Sequence, residues 1–473
     1  TRIERLAGLY DSGRESMTTG GVAINEVYPR VRTAMAAYFG KRPEILTRPQ
    51  TPNDNDAATA AQLLLNMLVH QEHWGRQIRD ALWYARLFMF GCLQLGIDKK
   101  GMPTMRALDP RVVRVDPTTD RFRPDQARWM ACRHKKSLAA LRASGLYKDK
   151  DLDKIVDTLI HKKGEMPDEE ASVELWLWEN FFYEPGGNGT TVMVATHVDA
   201  VETERLTPEG RLWIREEEFS GTAGLPLRFL AFAPSAKSWF PMSPCEPWLD
   251  QNREVNAYRN NKLAHADRAI RKMWVSEEVQ ERERDKLSNR EPMTWIVVPV
   301  GKTGEQLFGE IPTGQLSTEI YQGELEAVNT ITMIDGIGSP QLGQLPSRGS
   351  SSATRDAITE QYLRLRSSDN QEIFEDFLED SFQGILSLAQ GHMNGNVWVQ
   401  ATGLPPLNIS RREIQGNIKV IMSFGSTLPR DRAAEKAEGA QLYQMIAGNP
   451  LVDQEWLLKF LLAKHDVRDI ERA

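Results

Sequence analysis

The fold is decided by residues 243–274, SPCEPWLDQNREVNAYRNNKLAHADRAIRKMW, which open the central part of the chain. Ser243 with Glu246 three residues later resembles a capping box, and apolar residues then recur mostly at every third or fourth position. The pattern predicts one amphipathic helix ending near Trp274, which at 1.5 Å per residue would span roughly 40 Å. Three basic residues crowd its last turn, where they complement the negative end of the helix dipole: Arg268, Arg271 and Lys272.

Two further helices are predicted after this one. The second runs from about Thr318 to residue 334 and ends at Asp335-Gly336. Its apolar residues form one predicted stripe: Tyr321, Leu325, Val328 and Ile331. The third runs from Ala353 to about Ala389, and a polar break at residues 367–370 predicts a kink. After the break its apolar residues form a predicted stripe: Ile373, Phe374, Phe377, Leu378, Phe382 and Ile385. Residues 335–352, between these helices, are mostly Gly, Ser, Pro and Gln and predict either a flexible connection or a functional loop.

Composition excludes several classes of protein. The 473 residues are too many for one ordinary core, and 41% hydrophobic with 26% charged residues is typical of a globular protein. No apolar run is long enough for a membrane helix, and no signal peptide is visible. Three cysteines stand singly, outside metal-ligand spacing, which argues against a disulfide framework or a zinc site. A net charge of −7 argues against tight binding of the DNA backbone, but it permits a protein that lets DNA pass.

The order of elements indicates an α+β fold. Residues 1 to about 100 are helical in pattern, with a polar loop predicted over residues 42–56. Residues 97–245 read as short strands with a helical insert, strands recur at residues 396–400 and 418–424, and residues 430–473 return to helix. Helices and strands do not alternate as βαβ units, which favours α+β over α/β.

Catalytic motifs are weak. Gly301-Lys302-Thr303 resembles the end of a P-loop, but the required earlier glycine is Ile296, so a hairpin turn is the better interpretation. His70 and His73 are spaced to share a metal on a helix, yet no third ligand is indicated. Four acidic residues form i, i+4 pairs in the third helix and are either paired catalytic carboxylates or, more often, a solvated face: Glu375, Asp376, Glu379 and Asp380. The residues therefore do not argue for an enzyme.

Several stretches taken in order resemble the portal proteins of tailed bacteriophages. They are residues 81–91, ALWYARLFMFG; residues 108–117, LDPRVVRVDP; and residues 239–243, WFPMS, leading into residues 251–256, QNREVN. The order helix, small strand segment, helix, glycine-rich loop and long helix completes the resemblance, which covers nearly the whole chain. Each stretch is degenerate by itself, so the order carries more weight than any one of them.

The resemblance implies a portal fold with named regions. These are a wing at 1–242, a stem helix at 243–274, a clip at 275–317, a second stem helix at 318–334, a tunnel loop at 335–352, a kinked wing helix with wing strands at 353–428, and a crown at 429–473. Within the clip, a charged helix over residues 277–287 and a strand over residues 294–300 are expected.

The resemblance also implies site residues. The stem residues are Arg268, Arg271 and Lys272. The clip residues that would meet the packaging terminase or adaptor proteins are Glu281, Arg282, Arg284, Lys286 and Trp295. The tunnel-loop residues that would line the DNA channel are Gly338, Gln341, Leu342, Gln344, Leu345 and Arg348.

The implied function is a ring, twelve-fold in the virion, at the single capsid vertex through which the genome is packaged and ejected. Expected partners are double-stranded DNA, the terminase large subunit, head-completion and tail connector proteins, and the major capsid and scaffolding proteins, with no membrane and no cofactor or metal. The expected location is the virion, after assembly in the host cytoplasm. Two alternatives stay open: an enzyme acting on nucleic acid or sugar through the acidic pairs near Glu375, and a non-portal scaffold or head–tail adaptor.

Overall fold

The computed structural model divides the chain into two compact units. The first comprises residues 1–7, 28–246 and 336–473, and the second comprises residues 8–27 and 247–335. The structure describes residues 2–13, 22–71, 73–98, 101–118, 124–153, 155, 174–184, 191–198, 212–219, 224–236, 240–268, 272–277, 279, 281, 297, 300–301, 303–311, 318–337, 353–394, 396–399, 407–422, 441 and 443–445.

The helices, in chain order, are α1 (Arg2–Ser12), α2 (Val27–Tyr38), α3 (Asn55–Gln71), α4 (Trp74–Leu87), α5 (Leu138–Ser144), α6 (Leu249–Arg268), α7 (Gly304–Leu307), α8 (Thr318–Asp335) and α9 (Ala353–His392). The strands are β1 (Ile45–Pro49), β2 (Gly91–Ile97), β3 (Pro103–Leu108), β4 (Val113–Val115), β5 (Trp129–Ser137), β6 (Glu174–Tyr183), β7 (Val192–Val198), β8 (Leu212–Glu218), β9 (Leu227–Leu230), β10 (Lys272–Val275), β11 (Phe308–Ile311), β12 (Val397–Val399), β13 (Leu407–Ile409) and β14 (Ile418–Met422).

The mixed, non-alternating arrangement agrees with the α+β prediction. The first unit contains a five-stranded sheet in the order β4-β5-β6-β7-β8 and a three-stranded sheet in the order β3-β2-β9. Within the described residues every strand pair is antiparallel, which is typical of α+β rather than α/β proteins. Across the same residues, no helix combines the length and apolar character needed to cross a membrane.

The main core of the first unit forms around the second half of α9. Phe374, Leu378, Phe382 and Ile385 recur at intervals of three or four residues, and all are fully buried. They pack in one cluster with α2, α3, α4 and the three-stranded sheet. The periodic stripe predicted in this helix is thus confirmed, because a buried helix face requires that spacing.

A two-stranded sheet closes this core and joins distant parts of the chain. Strands β1 and β14 pair with Ile45 opposite Met422. Asn66 of α3 donates to the Ile45 carbonyl and accepts from its amide, so it satisfies the outer edge of β1. Gln383 of α9 does the same for β14, by accepting from the Val420 amide and donating to the Ile418 carbonyl. Side-chain carboxamides therefore occupy both edges that a two-stranded sheet leaves open.

The 108–117 stretch forms a hydrogen-bonded turn rather than one continuous strand. Residues 110–112 make a single 3-10 turn capped by the Asp109 carboxylate, and only Val113–Val115 is strand. The buried Asp116 carboxylate accepts hydrogen bonds from Thr118 and Arg128. Burial raises the pKa of Asp116, but these hydrogen bonds outweigh it and hold the pKa below its usual value.

The helix predicted to run from Ser243 to Trp274 is wrong at both ends. Helix α6 starts at Leu249, after a turn at Ser243 and a 3-10 turn over Glu246–Trp248. The Ser243 hydroxyl donates to the Leu87 carbonyl and accepts from the Cys245 amide. Glu246, the other half of the predicted capping box, forms an ion pair with Arg2. At the far end Lys272–Val275 is strand β10. The cross-strand partner of β10 lies over 30 residues later, which helical periodicity does not reveal.

Other predicted boundaries also change. The helical pattern predicted over residues 1 to about 100 is broken at His73, whose backbone is left-handed with φ of 56°. Strand β1 lies inside the segment predicted as a polar loop. Helix α9 continues through residues 367–370 without interruption, so the polar break does not end it, and a bend there stays a prediction.

Candidate functional site

The second unit is built on two helices, α6 and α8, that contact each other along their lengths. Between them in the chain lies the ribbon formed by β10 and β11. This is the order helix, small strand segment, helix that the sequence indicated. Helix α8 occupies Thr318–Asp335, so the predicted second stem helix at 318–334 is present as a helix.

The two helices meet at a glycine and an ion pair. A Cβ on Gly323 would lie 2.6 Å from the Tyr258 ring, so only glycine lets the Tyr258 ring pack this closely on α8. One turn further along α6, Lys262 forms an ion pair with Glu324, and its ammonium lies 4.2 Å from the centre of the Tyr321 ring. Both charged side chains are mostly buried, which strengthens the attraction relative to a surface pair.

Helix α6 also holds an extended segment that precedes α2. The Asn256 side chain accepts from the Ile24 amide, and the Asn260 side chain accepts from the Val22 amide. Because asparagines four apart lie on one helix face, the two carboxamides can bond alternate residues of an extended chain. This face of α6 is therefore occupied within the unit.

Helix α8 is apolar on two sides. Ala327 and Ile331 are buried, whereas Tyr321, Leu325 and Met333 are 55%, 63% and 74% exposed. Of the predicted stripe from Tyr321 to Ile331, only the later part is buried within the chain. A helix that buries one side and exposes large apolar residues on another is typical of an assembly surface. Tyr321, Leu325 and Met333 form the outer face of α8.

The ribbon between the helices is short. Trp274 lies opposite Gly309 in the antiparallel pair, and its indole occupies the space that a side chain at Gly309 would need. Trp274 is 44% exposed, and Val297 and Val300, nearby in sequence, are more exposed still. This part of the chain therefore presents apolar side chains to solvent.

The predicted stem and clip residues are only partly described. Arg268 is the last residue of α6, and Lys272 is the first residue of β10 rather than part of a helix. Glu281 is an exposed helical residue. The others lie outside the described residues: Arg271, Arg282, Arg284, Lys286 and Trp295. Their predicted roles stay predictions.

The predicted tunnel loop is described only at its two ends. Gly336 terminates α8 with φ of 78°, as the sequence predicted, and Ile337 is buried in the core of the first unit. The buried Arg30 side chain donates to the Ile337 carbonyl over 3.2 Å. At the other end α9 begins at Ala353. The predicted channel residues lie outside the described residues: Gly338, Gln341, Leu342, Gln344, Leu345 and Arg348.

The four acidic residues of α9 are held in different ways. Glu375 accepts from Gln371, Glu379 accepts from the Met422 amide of β14, and Asp380 forms an ion pair with Arg228 over 2.8 Å. Asp376 and Asp380 both line a shallow cleft of about 460 Å³. Because Asp380 is neutralised by Arg228 and Glu379 supports a strand edge, the four do not form the facing pair of free carboxylates that glycoside hydrolysis uses.

The surroundings of His70 and His73 do not suit a shared metal ion. His70 lies in the last turn of α3, with its Nδ1 atom 3.0 Å from an Arg42 guanidinium nitrogen, and a cation in that place opposes a metal ion. His73 lies in the left-handed break before α4, not one turn further along the same helix. The helical spacing on which a shared metal depended is therefore absent at these two residues.

No protein-family model matches the sequence, and no curated protein matches it. The chain is similar to a chain in a structure described as "Neck of empty GTA particle computed with C6 symmetry", with 11% identity over 97% of this chain and 93% of that chain and a TM-score of 0.45. It is also similar to a chain in "Virion of native gene transfer agent (GTA) particle", with 11% identity over 96% of this chain and 98% of that chain and a TM-score of 0.39. A likeness at these TM-scores carries no conclusion about fold or function.

Proposed function

We propose that the chain is the subunit of a portal ring in a tailed-phage type of particle. The ring forms the channel for genome packaging and ejection at one capsid vertex, and it docks the terminase and the head-completion or tail proteins. The observation that carries this proposal is the second unit: two contacting helices, a small ribbon between them in the chain, and an apolar outer face on α8.

The outer face supports a ring because its three side chains are more than half exposed in the folded chain. Tyr321 and Leu325 lie one helical turn apart, and Met333 follows two turns later. In a closed ring each subunit uses two different surfaces, one toward each neighbour. The outer face supplies one of these surfaces.

The start of the glycine-rich loop supports its proposed place in the channel. Ile337 is held in the core by its own burial and by the hydrogen bond from Arg30, so the chain enters residues 338–352 from a fixed point. A polar loop that starts from a fixed point can be directed toward the DNA axis. In the proposed loop Arg348 is the only charged residue after Asp335. A single cation binds a phosphate backbone weakly and without sequence preference.

The charge of the chain fits a conduit. Each subunit has a net charge of −7, and repeating it around a ring adds the same sign at every position. Like charges keep the DNA from binding tightly to the wall, so the polymer can slide. The energy for packaging would come from the terminase.

The test is electron microscopy of the purified protein with rotational class averages, together with its mass in solution. We expect a closed ring of about a dozen subunits with an open centre, formed without nucleotide. A monomer or small closed dimer, with and without added scaffolding protein, contradicts the proposal. A ring without an axial pore favours the adaptor alternative.

A deletion tests the loop separately. Removal of residues 338–347 is expected to leave ring assembly intact and to impair DNA packaging or retention in a phage complementation assay. Normal packaging by the deletion variant would show that this loop does not line the channel. Glu375→Ala with Asp376→Ala serves as the companion variant. We expect it to package DNA normally, and that result would remove the candidate residues of the enzyme alternative.

A further inference from the structure

Three side chains of metal-ligand type meet on one face of the five-stranded sheet. Cys132 and His134 are two residues apart on β5, so their side chains lie on the same side. Glu179 on β6 is the cross-strand partner of Cys132, which brings it to the same place. The cluster is defined as Cys132, His134 and Glu179. His134 and Glu179 are 45 residues apart in sequence, so no local motif indicates the cluster.

The donor atoms are close enough to share one ion. The Cys132 Sγ atom lies 3.2 Å from His134 Nε2, and that nitrogen lies 3.1 Å from Glu179 Oε2. All three donor atoms lie within 4.8 Å of one another. Around a tetrahedral zinc ion, with bonds of about 2.0 to 2.3 Å, two ligand atoms lie roughly 3.3 to 3.6 Å apart. The sulfur–nitrogen and nitrogen–oxygen distances differ from this by a few tenths of an ångström, and the sulfur–oxygen distance is at most 4.8 Å.

The surroundings are those of a buried site. The exposed fractions of Cys132, His134 and Glu179 are 0%, 7% and 9%. Phe181 and Leu177 lie on the same strand two residues to either side of Glu179, and both are buried. A thiolate, an imidazole and a carboxylate form a donor set that zinc uses in proteins.

We propose that Cys132, His134 and Glu179 bind one Zn²⁺ ion and cross-link strands β5 and β6. The Glu179 Oε2 atom would be the ligand, because the other oxygen, Oε1, faces Lys136 at 3.6 Å. On binding, the Cys132 thiol loses its proton to solvent and its sulfur bonds to zinc. Thiolate and carboxylate together balance the two positive charges, so the bound site itself is neutral.

The fourth coordination position is open to a water molecule or a further side chain. The Gln94 carboxamide of β2 donates toward the Cys132 sulfur over 3.7 Å. The ion acts structurally: it ties together the two strands that share the longest ladder of the sheet. The site is independent of the proposed ring, because none of its residues belongs to the second unit.

The experiment uses the full-length protein, stripped with a chelator and then titrated with Co²⁺ and Zn²⁺. We expect one equivalent of Co²⁺ to produce a thiolate-to-cobalt charge-transfer band in the near-ultraviolet, and Zn²⁺ to abolish it. Cys132→Ser should lose the band and weaken zinc binding by about 100-fold or more, since one of three protein ligands is lost. Cys245→Ser is the matched control, because it also removes a buried thiol, but one that donates to the Arg86 carbonyl and is not part of the cluster.

The wild-type spectrum decides the proposal even if a variant folds poorly. If no charge-transfer band forms at stoichiometric Co²⁺ and zinc does not raise the melting temperature of the stripped protein, the three side chains form only a hydrogen-bonded cluster and the proposal is overturned. The same conclusion follows if Cys132→Ser binds zinc as tightly as Cys245→Ser does. His134→Asn, tested by zinc content after purification, should lose the ion as Cys132→Ser does.

Discussion

Replacement of Leu325 by glutamine tests the outer face of α8. Glutamine forms helix about as well as leucine, so the change removes apolar surface without weakening the helix itself. Burying a whole leucine side chain is worth about 1.5–3 kcal/mol, and 63% of Leu325 is exposed in the single chain. If a neighbouring subunit covers that fraction, each contact loses about 1–2 kcal/mol, or about 5- to 30-fold in association constant.

The same change should hardly alter the stability of the free subunit. Exposed positions usually change stability by less than about 0.5 kcal/mol. The assay is therefore the ratio of rings to subunits against protein concentration, measured by mass photometry, with thermal unfolding of the subunit measured in parallel. Leu146→Gln is the matched control, because Leu146 is 50% exposed but lies in the first unit.

Two results would refute the reasoning. In the first, Leu325→Gln rings dissociate at the same concentration as wild-type rings, so that the outer face is not a subunit contact. In the second, Leu146→Gln weakens assembly as strongly, so that the effect reflects general loss of apolar surface rather than this face.

Three further predictions concern the single chain. Gly91→Ala should lower stability by about 1–3 kcal/mol or more in thermal unfolding, because its Cβ would lie 1.9 Å from the Ala81 carbonyl oxygen. Gly391→Ala is the control: open space surrounds Gly391, so this change should be neutral or stabilising. Asp116 has a lowered folded-state pKa, so its contribution is present above the unfolded pKa of about 3.9 and is lost as pH falls through the lower folded value. Asp116→Asn should therefore flatten the acid side of the stability–pH curve measured by urea unfolding, and an unchanged slope would contradict this. Lys262→Met should cost about 1–3 kcal/mol in the same assay, since it leaves a mostly buried carboxylate unpaired, and Lys262→Arg should restore most of the loss.

Much of the local structure was accessible from the sequence. Helix α8 begins at Thr318 and ends before Gly336, and strand β6 covers the aromatic run from Glu174. The stripe of Phe374 to Ile385 is buried as its spacing predicts. In each case the signal lies within a few residues, as a cap, a glycine or a periodic apolar pattern.

The errors occurred where a distant partner overrides the local pattern. Ile45–Pro49 lies among polar residues in the sequence, which predict a loop. It is strand because it pairs with β14, about 370 residues later, and because Asn66 bonds its outer edge. Lys272–Val275 continues a helical pattern and is strand because β11 lies beside it. Helix and strand propensities differ by less energy than such pairings supply.

Fold class, the order of elements and the stop at Gly336 follow from the amino-acid sequence, because each depends on residues that are neighbours in the chain. Which side of α8 stays exposed does not follow from it, since Tyr321 and Ile331 look equally apolar until Tyr258 of α6 packs against the helix at Gly323. The meeting of Cys132 and Glu179 does not follow either. Side chains 45 or more residues apart come within 4 Å only through a strand register, and many registers satisfy the same alternating pattern until the whole sheet selects one.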